Sequence, residues 1–302
     1  MLIGIEPTVD YAFKRVFGRT ENVDILISLL NAVLGRPAGQ RIASLEILNP
    51  FLAQERLDDK EAVLDVKARD ESGRLFNVEM QIRPHHALRE RMLYYWARVY
   101  SSQLVQGEDY TNLTPTISVL FLDDVLFPGV AGAHHRFRLQ TDTKDVVFSD
   151  QIEFHVLELR KFVKPLPDLG DDLEKWLFFL RYAADLDMDR WPTQLADSPW
   201  IRAGKELVML SQTEIERELY EARRKGHLDY LTDMRVERRI GQQIGQQIGR
   251  RDGRTEGRIQ LLQKLLRIPV SSDDDLEALT SNELDTLAEQ LAANARQNGL
   301  DI

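Results

Sequence analysis

Cysteine is absent from the 302-residue chain. That excludes disulfide bridges and thiolate metal sites, and it fits a reducing compartment. No run of about 18 apolar residues occurs, which excludes a helix built to span a bilayer. The first residues, MLIGIEPTVDYAFKR, have neither the basic start, the apolar stretch nor the small-residue cleavage site of a secretory leader. A cytoplasmic location with no membrane partner is therefore expected. Positive charge is also scarce: 39 Lys and Arg against 49 Asp and Glu leave a net charge of -10. Such a balance argues against tight, non-specific coating of nucleic acid, because phosphate contacts need Lys and Arg. A local basic surface remains compatible with it, and acids gather in late runs such as Asp273, Asp274 and Asp275. What is present, 43% hydrophobic and 29% charged residues, is the make-up of a globular protein with material for a sizeable core.

Along the chain, Thr8 and Thr20 are candidate caps of two helices, the first ending near Gly18 and the second before Gly35. Leu26, Leu29, Leu30, Val33 and Leu34 share one face of the second. Residues 42–51, 61–69 and 74–83 read as strands, the last stopped by Pro84. Residues 86–106 read as a helix with Leu93, Trp96, Ala97, Tyr100 and Leu104 on one face. Residues 116–122 (TISVLFL) read as a buried strand, and 134–140 and 152–160 as further strands. After Pro165 and Pro167 the pattern turns helical, over 171–186, 199–210 and 213–265. The expected organisation is a mixed α/β domain over residues 1–165, a helical region over 166–236, and a glycine-repeat helix with a C-terminal helical segment over 237–302.

Residues 61–83 carry the chemistry. Side chains alternate along a strand, so Val63, Asp65 and Lys67 face one way, and Asn77, Glu79, Gln81 and Arg83 share a polar face on the next strand. The two apolar faces must lie on the same side of the sheet, which requires an odd loop. A three-residue loop, Glu71-Ser72-Gly73, puts glycine at the left-handed position such loops favour. Asp70 then pairs with Arg74, and Asp65 falls opposite Glu79, with Gln81 one step further on the same face. Opposed carboxylates repel at about 5 Å. A divalent cation offsets this, and hard Mg²⁺ prefers carboxylate oxygens completed by water and phosphate. An ion so held activates water and stabilises charge on a phosphodiester. The alternative is that each acid is simply solvated on a half-exposed strand.

Asp65 followed by Glu79-Met80-Gln81 resembles the PD-(D/E)XK nuclease motif in its ExQ variant. More widely, PTVDYAFKRVFG (7–18), LLNAVLG (29–35), LNPF (48–51), DDKEAVLDVKARDESGRLFNVEMQIR (58–83) and RMLYYWARVYSSQLVQGEDY (91–110) resemble the recombination-promoting nuclease / putative transposase family. The resemblance covers most of residues 7–122, and the tail is similar to the helical segment that often follows this family's core. It implies a restriction-endonuclease-like mixed sheet flanked by helices, followed by an all-helical C-terminal region. It also implies Mg²⁺-dependent cleavage of double-stranded DNA in recombination or transposition, with Mn²⁺ as an alternative ion. By position, Asp65 and Glu79 are the implied metal ligands, and Gln81 takes the place of the usual lysine. An amide orients water but supplies no positive charge. Lys67 either supplies that charge or is a solvated surface lysine. Asp10, in the DYAFK stretch, either joins the metal site or complements its helix N-terminus.

Arg91 and Gln103, on the helix expected to flank the site, are candidate phosphate contacts. Adjacent Tyr94 and Tyr95 point in different directions, so at least one is expected in the core. His85-His86 and His134-His135 lack the i, i+4 spacing of helix-borne ligands and read as surface or turn residues. In the tail, Gly241, Gly245, Gly249, Gly253 and Gly257 recur every four residues beside Ile240, Ile244 and Ile248. Each glycine costs a helix roughly 1 kcal/mol relative to alanine, so this segment needs a packing partner to be stably helical. It reads as a homo-oligomerising helix, a flexible linker, or a basic auxiliary DNA contact through its arginines. Residues 259–295 read as two short helices, with Ser281 capping the second. Besides an active nuclease, a catalytically degenerate nuclease fold acting as a DNA-binding or oligomerising module fits the acidic balance and Gln81.

Overall fold

The computed structural model describes residues 1–49, 51–52, 62–63, 65–83 and 87–300. Leu64, Pro84, His85 and His86 lie outside them. Two compact units result, Met1–Lys225 and Gly226–Ile302.

The first unit opens with helices α1 (Asp10–Phe17) and α2 (Val23–Leu34). Their N-caps are Val9 and Asn22 rather than Thr8 and Thr20, since a short 3₁₀ turn over Thr20–Asn22 precedes α2. Gly35 ends α2 in the left-handed region at φ 58°. Strands β1 (Leu45–Leu48), β2 (Phe51–Leu52), β3 (Ala62–Val63), β4 (Val66–Asp70) and β5 (Leu75–Gln81) follow. Thus residues 42–51 and 61–69 each divide between two sheets, with β2 and β3 forming a small ribbon of their own. Helix α3 (Leu88–Ser101) leads to β6 (Thr116–Leu122), β7 (His134–Gln140) and β8 (Val147–Glu158).

The main sheet has 6 strands in the order β1-β4-β5-β6-β8-β7. The pairs β5/β6 and β6/β8 are parallel and the others antiparallel. Strand β6 is buried along its whole length, as its unbroken apolar run requires of a central strand covered on both faces. On one face Val66, Phe76 and Val78 pack with Phe13 and Phe17 of α1 and Leu26 and Leu30 of α2. Helix α3 covers the other. Its buried face is Leu88, Met92 and Val99, with Tyr95 half-buried and packed against Leu75 and Val99. The expected face does not hold: Leu93 is exposed, because α3 is rotated to lay Met92 on Leu120, Leu122 and Val156.

Helices α4 (Asp172–Tyr182) and α5 (Ser198–Gln212) join the same core. Trp176 is buried edge-on to Phe17 at 5.7 Å and donates to Ser28 Oγ at 3.2 Å. The division expected near residues 165–170 therefore falls inside the first unit. His134 and His135 are not surface residues either. They lie on β7, half-buried, where His134 bonds His155 and His135 bonds Glu158, both at 2.8 Å.

Helix α6 (Glu214–Leu265) runs across the division and includes the glycine repeat. The second unit adds α7 (Asp273–Glu277) and α8 (Ser281–Gln297). Ile259 and Leu262 of α6 are buried with Leu276, Leu284, Ala288 and Leu291. Thr280, not Ser281, caps α8, in a reciprocal box with Glu283; Ser281 instead donates to Asp252 at 2.7 Å. Among the described residues, no helix is long and apolar enough to cross a membrane.

Candidate metal centre

The turn between β4 and β5 sets the geometry. Asp70 N–H donates to Arg74 O at 3.1 Å and Gly73, at φ 86°, donates back to Asp70 O at 3.0 Å. The Asp70 carboxylate also accepts from the Ser72 and Arg74 backbones and from Arg74 Nε. Glu71-Ser72-Gly73 is thus the loop, and Val66 pairs with Val78. Counting one residue outward places Asp65 against Glu79, and Met80 N–H indeed donates to Asp65 Oδ2 at 2.8 Å.

Both acids are shielded: the side chains of Asp65 and Glu79 are 9% and 6% exposed. Burial, then the neighbouring Asp65 charge, pushes Glu79 up to about 8 despite Arg91 and the Asp65 backbone N–H, which favour its ionised form. Burial also raises Asp65, opposed by Lys14 and the Met80 N–H. Glu79 Oε1 is buried with no hydrogen-bond partner among the described residues. A buried carboxyl oxygen with no described partner, beside a second acid, is an arrangement that a hard cation satisfies in place of the proton, so the residues present fit a divalent ion. Among the described residues no three acids or histidines gather around one point. Asp65 and Glu79 would therefore hold such an ion with water and substrate oxygens completing its shell, as Mg²⁺ commonly has it.

Asp10 is near enough to raise Asp65 electrostatically, but its carboxylate accepts the Tyr11 N–H at 2.8 Å and does not complete a three-acid set. Gln81 closes β5 beside Leu122 on the same face as Glu79 by strand alternation. Lys67 is half-buried, paired with Asn77, and desolvation lowers its pKa, as does Arg69. Arg91 Nη2 stands 3.9 Å from Glu79 Oε2, with its guanidinium over the Tyr95 ring.

Gln103 is not a phosphate contact. Its amide donates to Thr114 O at 3.0 Å and Thr116 Oγ1 at 3.1 Å, and its oxygen accepts from Thr114 N and Oγ1. That uses its hydrogen-bonding capacity. Thr116 pairs with Leu75, so Gln103 pins the far end of the sheet, roughly 13 Å along β5 from Glu79.

Sequence reasoning missed Lys14, whose ammonium lies 3.0 Å from Asp65 Oδ1. DYAFK sets Asp10 and Lys14 one helical turn apart on one face, but nothing in that local pattern says that the face meets Asp65.

A mixed sheet sandwiched by helices, with an acid at the start of one strand facing an ExQ acid on the next, defines the PD-(D/E)XK nuclease class. The chain belongs to the family described as PD-(D/E)XK nuclease family transposase, whose profile matches residues 7–237. No curated protein and no solved structure matches it.

Proposed function

We propose that this chain is a metal-dependent DNA endonuclease serving recombination or transposition. Double-stranded DNA is its substrate, and Mg²⁺, or Mn²⁺ in its place, is held by Asp65 and Glu79. The observation that carries this reading is the meeting of two buried carboxylates across one hairpin, one of them with an orphaned oxygen. When bound, a divalent ion lowers the pKa of water and offsets charge on the phosphoryl oxygens. The chain's own groups orient the parts. Met80 N–H fixes the Asp65 carboxylate, the Gln81 amide faces the site as a water-orienting group, and Arg91 stands at its edge within reach of phosphate. In the hydrolysis a water oxygen bonds to phosphorus and releases one proton to solvent, a phosphorus–oxygen ester bond breaks, and the departing alkoxide takes a proton from solvent.

Plasmid cleavage in Mg²⁺ against EDTA tests this, with Asp65→Ala and Glu79→Ala as controls. Cleavage in Mg²⁺ alone, reduced at least ~100-fold by either substitution, is expected. Activity in EDTA, or activity indifferent to both substitutions, overturns the assignment. DNA retention without cleavage by the unaltered chain supports the degenerate binding module instead.

A further inference from the structure

The site holds a cation of its own that the ExQ motif does not supply. Lys14 projects from α1, whose inner face is locked by Ala12, Phe13, Val16 and Phe17 in the core. The C-terminal end of α1 docks onto β4 where that strand begins, one residue after the metal-site acid: a Cβ at Gly18 would stand 3.4 Å from Val66 Cγ2, next to Asp65. This fixes where Lys14 can reach. Its ammonium stands 3.0 Å from Asp65 Oδ1, while Oδ2 is taken by Met80 N–H. The Lys14 side chain is 39% exposed and Asp65 only 9%, so Lys14 bridges from solvent into the buried acid pair. The orphaned Glu79 oxygen is left on the same site.

We propose that Lys14 is the cationic catalytic group of this centre: it occupies Asp65 until a divalent ion arrives, then turns its ammonium to the phosphate being cleaved. The inference rests on the nuclease reading and deepens it. Two features make Lys14 suited to both positions. A lysine ammonium is a compact charge on a flexible four-carbon stem with three donors, so it can leave one anion for another nearby. Gln81, at the position where the motif usually has lysine, has no charge to offer. Lys67 is a weaker candidate, since no contact joins it to either acid among the described residues, whereas Lys14 already touches one. Lys14 neither gives nor takes a proton in this role; it offsets charge on the phosphoryl oxygens.

The two roles predict opposite effects of one substitution. In the full chain, Lys14→Met removes the competitor for Asp65 and the charge for phosphate together. Mn²⁺ binding, followed by titration calorimetry without DNA, is expected to tighten about tenfold, a change of about 1.4 kcal/mol. Plasmid cleavage at saturating Mn²⁺ is expected to fall about 100-fold or more. Lys14→Arg, which keeps the charge, is expected to restore wild-type ion affinity and part of the cleavage rate. Thermal melting of each variant with Mn²⁺ separates loss of fold from loss of function. Ion affinity and cleavage both unchanged in Lys14→Met overturn the role of Lys14 while leaving the nuclease intact. Weaker ion binding with slower cleavage in a folded Lys14→Met assigns the residue to structural support and overturns it as well. If the unaltered chain neither binds Mn²⁺ nor cuts DNA, the nuclease reading itself fails, and the inference with it.

Discussion

Replacing Glu79 by glutamine removes a buried titrating carboxyl while keeping the volume of the side chain, and its effect on stability has a sign that only the site geometry supplies. In the ion-free protein, burial and the Asp65 charge hold the Glu79 carboxyl at about 8, against 4.5 for the ordinary group. Across that interval the folded chain keeps a proton that the unfolded chain has released. The folded state therefore binds more protons, and stability falls as pH rises from about 4.5 to about 8. Each pH unit inside the window is worth at most about 1.4 kcal/mol, so raising the pH from 5.5 to 7.5 costs roughly 2–3 kcal/mol. Glu79→Gln has no such proton to lose. At pH 7.5 without metal it is expected to melt higher than the wild type, and the difference should shrink toward pH 5. Added Mg²⁺ should raise the wild-type melting temperature and leave the variant nearly unmoved, because an ion stabilises only the state that binds it. Calorimetric melting between pH 5 and 8, with EDTA or Mg²⁺, reads all of this. A variant less stable than wild type at pH 7.5 in EDTA, or equally stabilised by Mg²⁺, contradicts a buried, proton-holding Glu79 that binds the ion.

Gly73→Ala forces an L side chain onto a backbone at φ 86° and sets its Cβ 3.1 Å from Thr114 Cγ2. A destabilisation of roughly 1–2 kcal/mol is expected, seen as a melting temperature lower by a few degrees; an unchanged melting curve contradicts the turn geometry. In the tail, Ile240, Ile244 and Ile248 are each about half exposed, and a Cβ at any of the repeat glycines meets no described atom within 4 Å. We propose this face as a contact with a second copy of the chain. A four-residue period drifts about 40° per step on a 3.6-residue helix, so the contact is a local crossing rather than a long coil. Sedimentation should show a multimer for the full chain and a monomer after truncation at residue 236; identical association states remove the idea.

The sheet acids were legible in the sequence because strand alternation is strict and one glycine fixes the loop. Period two fixes which face each side chain takes and so demands an odd loop, the Gly73 turn selects its length, and Asp65 against Glu79 follows from counting. Lys14 was not legible, because its meeting with Asp65 depends on how α1 docks across the sheet, and local pattern carries no record of that. The same holds for α4 and α5. Their amphipathic faces announce burial but not a partner, so Trp176 against Phe17 appears only in three dimensions. Gln103 looked like a free polar group on a helix flank, yet its partners Thr114 and Thr116 are brought to it by the return of the chain into β6. The rotation of α3 that exposes Leu93 escaped for a related reason: Leu93 and Met92 are equally apolar, and the underlying strands decide which one faces inward.

The proposed nuclease holds one divalent ion between Asp65 and Glu79. Anomalous diffraction from crystals grown in Mn²⁺ locates such an ion directly. A single strong peak within about 2.0–2.4 Å of an oxygen from each carboxylate, with Glu79 Oε1 no longer orphaned, is the predicted result. Well-ordered crystals with no peak between the two acids, or with the ion bound elsewhere, contradict it.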